Sequence, residues 1–212
     1  MRYSLCVIRS AFFDVGNVLL FFSHERMCRQ LASVYGCSAG RMRSVLFSSG
    51  LADEYDLGRV TTQEVFERLG EAVGRSADLR QARTAAAEIF EPNESIVPIV
   101  DELQRRSVKL ILLSNTCEVH SSYCLERFGI LGRFDDRVLS WEVGFRKPDD
   151  GIFRVALERA GCSAEECLFV DDIEDYVEAA ARLGIRSQLF LGAADLARTL
   201  DLGNLCQEGA AE

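Results

Sequence analysis

Five apolar runs rich in Val, Ile, Leu and Phe recur along this chain, separated for the most part by segments whose apolar residues fall at helical spacing. That alternation narrows the fold sharply. Parallel strands cannot be joined by hairpins, so each needs a crossover, and crossover helices cover both faces of the sheet and make its strands uniformly apolar. The runs lie at Cys6 to Asp14, Val108 to Leu113, Val138 to Trp141, Cys167 to Val170 and Ser187 to Leu191. Helical spacing is found at Glu94 to Arg106, Glu118 to Phe128, Gly151 to Ala160 and Asp175 to Leu183. Ser163 with Glu166 spells a capping box, and Gly129, Gly161 and Gly184 suit the residue after a helix end. The spacing predicts an α/β fold built on a doubly wound parallel sheet.

One stretch breaks the rhythm. From about Ser23 to Phe90 there is no convincing strand, only helical spacing near His24 to Tyr35, Arg41 to Leu46, Thr61 to Val73 and Asp78 to Phe90. Thr61 with Glu64 forms a second capping box. An all-helical insert after the first strand is therefore expected, with Glu91-Pro92-Asn93 returning the chain to the sheet.

Charge limits the partners. Lys and Arg number 24 against 33 Asp and Glu, a net charge of −9, and no basic run offsets it, so nucleic acid and anionic membrane surfaces are excluded as partners. The longest apolar stretch, Val15 to Phe22, falls far short of the roughly 20 residues that span a bilayer. The first residues break their apolar run with Arg9 and Ser10, unlike a secretory leader. None of the 8 cysteines forms a Cys-x-x-Cys pair, and most sit at apolar positions, which reads as reduced thiols in a cytoplasmic protein.

Ligands of open α/β sheets bind beyond the carboxyl ends of the strands, so the residues delivered there decide the chemistry. The first run ends in Asp14, the second in Ser114-Asn115-Thr116, and the fourth in Asp171-Asp172, while Lys147-Pro148 follows the third. Such a rim can hold a hard divalent cation and a phosphoryl group together. Asp14 can be nucleophile and metal ligand, with Asp172 as a second ligand. Lys147, the Ser114 hydroxyl and the Asn115 N–H can neutralise or bind phosphoryl oxygens, and Gly16 can turn the backbone so that its carbonyl meets the metal. Each piece alone has a plainer reading, as an Asx turn, a helix cap, a solvated turn or an acidic first turn. For all of them to hold at once, every strand end would have to coincide by chance.

In this order, Asp14-Val15-Gly16-Asn17-Val18, Ser114, Lys147-Pro148 and Asp171-Asp172 resemble the four motifs of the haloacid dehalogenase superfamily of aspartate-nucleophile hydrolases. The resemblance covers essentially the whole chain. The helical insert sits where a C1 cap would, and Asp53 to Glu64 is similar to the cap of the phosphatase-like branch, which includes epoxide-hydrolase N-terminal-type and glucose-1-phosphatase-like proteins. It implies a Rossmann-like core of residues 1–20 and 94–212 and a cap of residues 21–93. It further implies attack by Asp14 on phosphorus, an aspartyl-phosphate hydrolysed by water, and Mg²⁺ held by Asp14, Gly16, Asp171 and Asp172. The implied substrate is a small phosphorylated metabolite, sugar phosphates among the candidates.

Two positions depart from the family pattern. Most phosphatase members carry a second Asp two residues after the nucleophile to protonate the leaving oxygen; here Gly16 stands there. Losing a positioned acid costs about 10²- to 10⁴-fold, against total accelerations that begin near about 10⁶. Such an enzyme favours leaving groups that need little protonation, or borrows a proton from the cap or from water. Tyr176 stands where many relatives have Asn or Asp. These departures leave open a catalytically weak protein that binds phosphate and metal for regulation. A 2-haloacid dehalogenase is disfavoured because that branch replaces the fourth-motif acids, and response-regulator receivers place their acidic pair first and lack a cap. His120 reads first as a surface or partly packed histidine and Phe21 and Phe22 as core around the strand, while Arg146 and the Asp53-Glu54-Tyr55 stretch read equally as solvent-facing or site-lining groups.

Overall fold

The computed structural model describes residues 8–202. Seven strands occur among them: β1 (Ser10–Phe13), β2 (Leu20–Phe22), β3 (Phe90–Pro92), β4 (Lys109–Ser114), β5 (Asp136–Leu139), β6 (Cys167–Asp171) and β7 (Arg186–Leu189). Five form one parallel sheet in the order β5-β4-β1-β6-β7. Chain order therefore runs outward in both directions from β1, and the carboxyl end of β1 lies at the switch point where such sheets bind ligands. All four β1 residues are buried, and alternate side chains enter opposite layers. Ala11 and Phe13 pack with Leu110, Leu112, Ile99 and Val100, whereas Phe12 packs with Ile111, Phe153 and Phe169. The apolar side chains of β1 thus hold both layers to the sheet.

The helices are α1 (His24–Tyr35), α2 (Ala39–Arg43), α3 (Leu51–Asp56), α4 (Thr62–Val73), α5 (Leu79–Ala87), α6 (Val97–Arg105), α7 (Glu118–Arg127), α8 (Ser140–Val143), α9 (Asp150–Ala160), α10 (Glu174–Arg182) and α11 (Ala193–Thr199). Local chemistry fixes many of their ends. The Ser23 hydroxyl accepts from the Arg26 N–H, Thr61 and Glu64 close the expected capping box on α4, and Gly36 ends α1 at φ 62°. Residues 24–87 supply most of a second apolar cluster, with Met27, Leu31, Leu46, Phe66 and Leu69 among its members, and Ile89, Cys117 and Val119 join it. No described helix is long and apolar enough to cross a membrane.

Several boundaries differ from expectation. The run at Val138 to Trp141 is a strand only to Leu139; the buried Ser140 starts α8, its hydroxyl donating to the Thr116 carbonyl and accepting from the Thr116 N–H, both at 2.9 Å. The segment assigned to Asp78 to Phe90 stops being helical after Ala87, and Phe90–Pro92 pairs antiparallel with β2. Three-residue strands are too short to reveal a period of two, and their partner lies far away in sequence, so nothing local announces this ribbon. Gly161 and Gly184 have the positive φ expected of them, while α7 ends at Phe128 without a left-handed residue at Gly129. Two short helices, α3 and α11, carried too few turns to show spacing. Cys6 and Val7, the start of the first run, lie outside the described residues, as do Cys206 and the rest of the C-terminal tail.

Candidate active site

Asp14 follows β1 directly, its N–H donating to the Val170 carbonyl at 3.0 Å, so neighbouring β6 fixes the base of the side chain. The chain then folds back tightly. Leu19 and Leu20 both donate to the Val15 carbonyl, and Asn17 takes φ 55°. The sharp turn falls at Asn17, a residue type that tolerates the left-handed region, and not at Gly16, which has no positive φ. The space beside Gly16 is limited for a different reason. A Cβ there would stand 2.8 Å from the Phe22 ring and 3.6 Å from Asp14 Oδ2, so Phe22 fills the space a second acidic side chain would need.

The four sequence stretches meet at this rim. Lys147 Nζ donates to Asp14 Oδ1 at 2.8 Å, to Asp171 Oδ2 at 2.5 Å and to the Leu113 carbonyl at 3.0 Å, and its side chain is 1% exposed. Burial works to strip the Lys147 proton, but the two carboxylates outweigh it and hold the ammonium above its ordinary range. Asp171 is fully buried and also accepts the Ile173 N–H at 2.9 Å; burial drives its carboxyl up to about 6 against the pull of Lys147. Asp172 is half-buried, accepts from Asn17 Nδ2 at 2.9 Å, and is likewise raised by burial. Carboxylate oxygens of Asp14, Asp171 and Asp172 lie within 4.8 Å of one another. An all-oxygen cluster of that size suits a hard divalent cation such as Mg²⁺. Ser114, 3% exposed, ends β4 and lines the same cavity.

Asn115 and Tyr176 have roles that residue type alone did not reveal. The Asn115 amide donates to the Lys147 carbonyl at 2.9 Å and accepts the Lys147 N–H at 2.7 Å, clamping that backbone. What Asn115 can offer an anion is therefore its own N–H. The Tyr176 hydroxyl takes a hydrogen bond from Asn115 at 3.3 Å, and its ring lies 5.3 Å from Lys147 Nζ. At this position the chain steadies the lysine with an aromatic face. Asp175 is exposed on α10.

The cavity above the rim measures about 390 Å³ and extends under the helices of residues 24–87. Phe22 lines it, whereas Phe21 is 48% exposed. His120 also lines it, its ring bonded to the Ala86 carbonyl and held down to about 4 by burial, hence neutral. Arg146 forms an ion pair with Asp53 of α3, joining the loop after α8 to the helical segment. Asp56, at the end of α3, directly follows the Asp53-Glu54-Tyr55 stretch, and residue type alone does not mark it as part of the site. It lines the cavity, and burial raises its carboxyl to about 6, opposed by Arg146 and reinforced by Asp53. An acidic residue one turn beyond Asp53 was visible; what was not visible is the burial that lifts it.

A doubly wound sheet presenting buried carboxylates and a lysine at its switch point defines a hydrolase architecture. The chain belongs to the haloacid dehalogenase-like hydrolases, whose family model matches residues 8–184. It is 37% identical over 93 residues to the phosphatase MT3486 of Mycobacterium tuberculosis, a match that takes in 43% of this chain and 43% of that protein. With the D-ribitol-5-phosphate phosphatase of Bacteroides thetaiotaomicron it shares 24% identity over 189 residues, 85% of this chain and 91% of that one. The structure of the B. thetaiotaomicron family enzyme bt-2542 in complex with magnesium and inorganic phosphate superposes with a TM-score of 0.77 at 23% identity, covering 86% of this chain and 93% of that chain.

Proposed function

We propose that this protein is a Mg²⁺-dependent phosphatase that hydrolyses a small phosphorylated metabolite through an aspartyl-phosphate on Asp14. The observation that carries the reading is the buried Lys147, held between Asp14 and Asp171 beside a third carboxylate. Similarity to phosphatases, and to a fold solved with magnesium and phosphate, supports it. Asp14, Asp171 and Asp172 fit the cation, with the Gly16 carbonyl completing the protein's donors. Bound there, Mg²⁺ offsets the charge of the phosphoryl oxygens and screens their repulsion from Asp14.

In this reading a carboxylate oxygen of Asp14 attacks phosphorus as the bond to the leaving oxygen breaks, and Lys147, Ser114 and the Asn115 N–H hold the phosphoryl oxygens. Water then attacks the phosphorus of the aspartyl-phosphate, freeing phosphate and regenerating the Asp14 carboxylate. Asp56 takes the part left vacant at Gly16: its carboxyl protonates the leaving oxygen and its carboxylate accepts the proton of the attacking water. The helices of residues 21–93 act as a cap that excludes water and contacts the group bearing the phosphate. The six described cysteines are free, in keeping with work in the cytoplasm.

Phosphate release from acetyl phosphate and a panel of phosphate monoesters tests the reading. Release should require Mg²⁺ and stop with EDTA; phosphate and metal binding without release would favour the regulatory alternative that Gly16 raises. For Asp56, the Asp56→Asn protein should lose about 10²- to 10⁴-fold in kcat/KM on an alkyl phosphate, and far less on acetyl phosphate, whose leaving group needs no proton. Equal losses on both would remove Asp56 from the proton transfer. Asp56 faces Asp53, Arg146 and Cys117. Because Arg146 favours its ionised form, and the leaving oxygen needs the protonated carboxyl, Arg146→Gln should move the alkaline limb of the alkyl-phosphate kcat/KM profile upward from about 6. An unmoved limb would show that the limb belongs to another group.

A further inference from the structure

The cavity is polar at one end only. From Asp14, Ser114 and Lys147 it runs inward to Met27 and Leu31 of α1, Leu46, and Val65, Phe66 and Leu69 of α4, all buried side chains without a polar atom other than the Met27 sulfur. Protein interiors leave few voids larger than a water molecule, so a cavity of about 390 Å³, reactive rim included, whose inner part is apolar has the size and character of a ligand site.

Most polar groups that line the inner part are bonded within the protein; the exception is the His24 ring of α1, which packs against Phe22 and Phe47. The Tyr55 hydroxyl is bonded to Thr62 and accepts the Val119 N–H at 3.3 Å. Ser121 Oγ donates to the Cys117 carbonyl at 2.9 Å and accepts from Trp141 Nε1 at 3.0 Å. The His120 ring nitrogen is bonded to the Ala86 carbonyl. The remaining charged groups of the lining keep to one another: Arg146, next to Lys147 in the chain, pairs with Asp53, and both act on the Asp56 carboxyl. A polyol pushed into this cavity would lay most of its hydroxyls against Met27, Leu31 and Leu69 and lose their hydrogen bonds to water, with the His24 ring alone to replace any of them. A hydrocarbon chain would lose nothing polar and would bury apolar surface on both sides.

We propose that the substrate is the phosphate monoester of an apolar alcohol, an alkyl or prenyl phosphate, whose chain fills the space between α1, α4 and α7 while its phosphate meets Asp14 and Lys147. The inference rests on the phosphatase reading above. The reaction keeps that reading's balance: the P–O bond to the alcohol breaks, its oxygen takes a proton, and water supplies the fourth oxygen of the released phosphate. The apolar alcohol is the product.

The test is a chain-length series of n-alkyl phosphates, ethyl to octyl, with glycerol 3-phosphate and acetyl phosphate alongside and Mg²⁺ present. Each added methylene should raise kcat/KM about fourfold until the cavity is full, and glycerol 3-phosphate should do no better than ethyl phosphate. A flat series, or glycerol 3-phosphate exceeding propyl phosphate, with acetyl phosphate still hydrolysed, would overturn the apolar substrate and leave the phosphatase reading intact. If no compound releases phosphate, the phosphatase reading fails. Calorimetry of alkylphosphonates with Mg²⁺ then decides the cavity separately. Affinity rising with chain length, with an increasingly negative heat-capacity change, supports an apolar occupant; affinity independent of length overturns it.

Discussion

The Asp14→Asn protein is expected to fold normally and release essentially no phosphate, a loss of about 10⁴-fold or more, as for removal of a covalent nucleophile elsewhere. The two parts of the prediction have separate physical grounds. Folding survives because Asn is nearly isosteric, its carbonyl can still accept the bond from Lys147 Nζ, and Lys147 keeps its second carboxylate at Asp171, 2.5 Å away. Turnover fails because an amide oxygen is a poor nucleophile and cannot form the acyl-phosphate. Circular dichroism and thermal melting check the fold, and phosphate release checks the chemistry. Activity near wild type would assign the attack to another group.

Lys147→Ala should be the most damaging single change for stability as well as for activity. Lys147 is the cation shared by Asp14 and Asp171, and at 1% exposure no water replaces it. Breaking a buried pair from one side costs about 3–5 kcal/mol, because the remaining charge stays buried and uncompensated. The pH dependence follows from that cause. Burial already raises the Asp171 carboxyl and Lys147 opposes that rise, so without the ammonium the variant is favoured where Asp171 is protonated and loses stability as pH rises through its raised folded value. The destabilisation relative to wild type should therefore be smaller near about pH 5 than near about pH 8. Urea melts at both pH values measure it. A deficit of equal size at both would mean that lost packing, and not stranded charge, is the cause. Phosphate release should fall together with stability, since the same ammonium faces the phosphoryl group.

The sheet was legible because its signal is local. A four-residue strand such as Ser10–Phe13, apolar on both faces, needs no knowledge of its neighbours to be read, and α1 and α4 declare their ends through Ser23, Gly36 and the Thr61–Glu64 box. The rim residues were legible for a related reason: strand ends in such a sheet share one edge, so Asp14, Ser114 and Asp171-Asp172 had to converge once the strands were found. What escaped depends on contacts between distant parts of the chain. The pairing of Leu20–Phe22 with Phe90–Pro92 joins segments separated by the whole helical insert. Phe22 occupying the space beside Gly16, Asn115 clamping the Lys147 backbone, and the burial that raises Asp56 are all properties of neighbours brought in by folding. The departures at Gly16 and Tyr176 could be read as defects in the sequence. In the folded chain one is filled by an aromatic ring, and the other puts an aromatic face near the lysine.

The most direct test of the account is to trap the covalent intermediate. Protein turning over acetyl phosphate with Mg²⁺ would be quenched within the first turnover, reduced with borohydride and digested, and the peptides analysed by mass spectrometry. An acyl-phosphate on Asp14 is reduced to homoserine, so the account predicts homoserine at position 14 in the wild-type protein and none when EDTA is present. Homoserine at another carboxylate, or phosphate released with position 14 unaltered throughout, would contradict it.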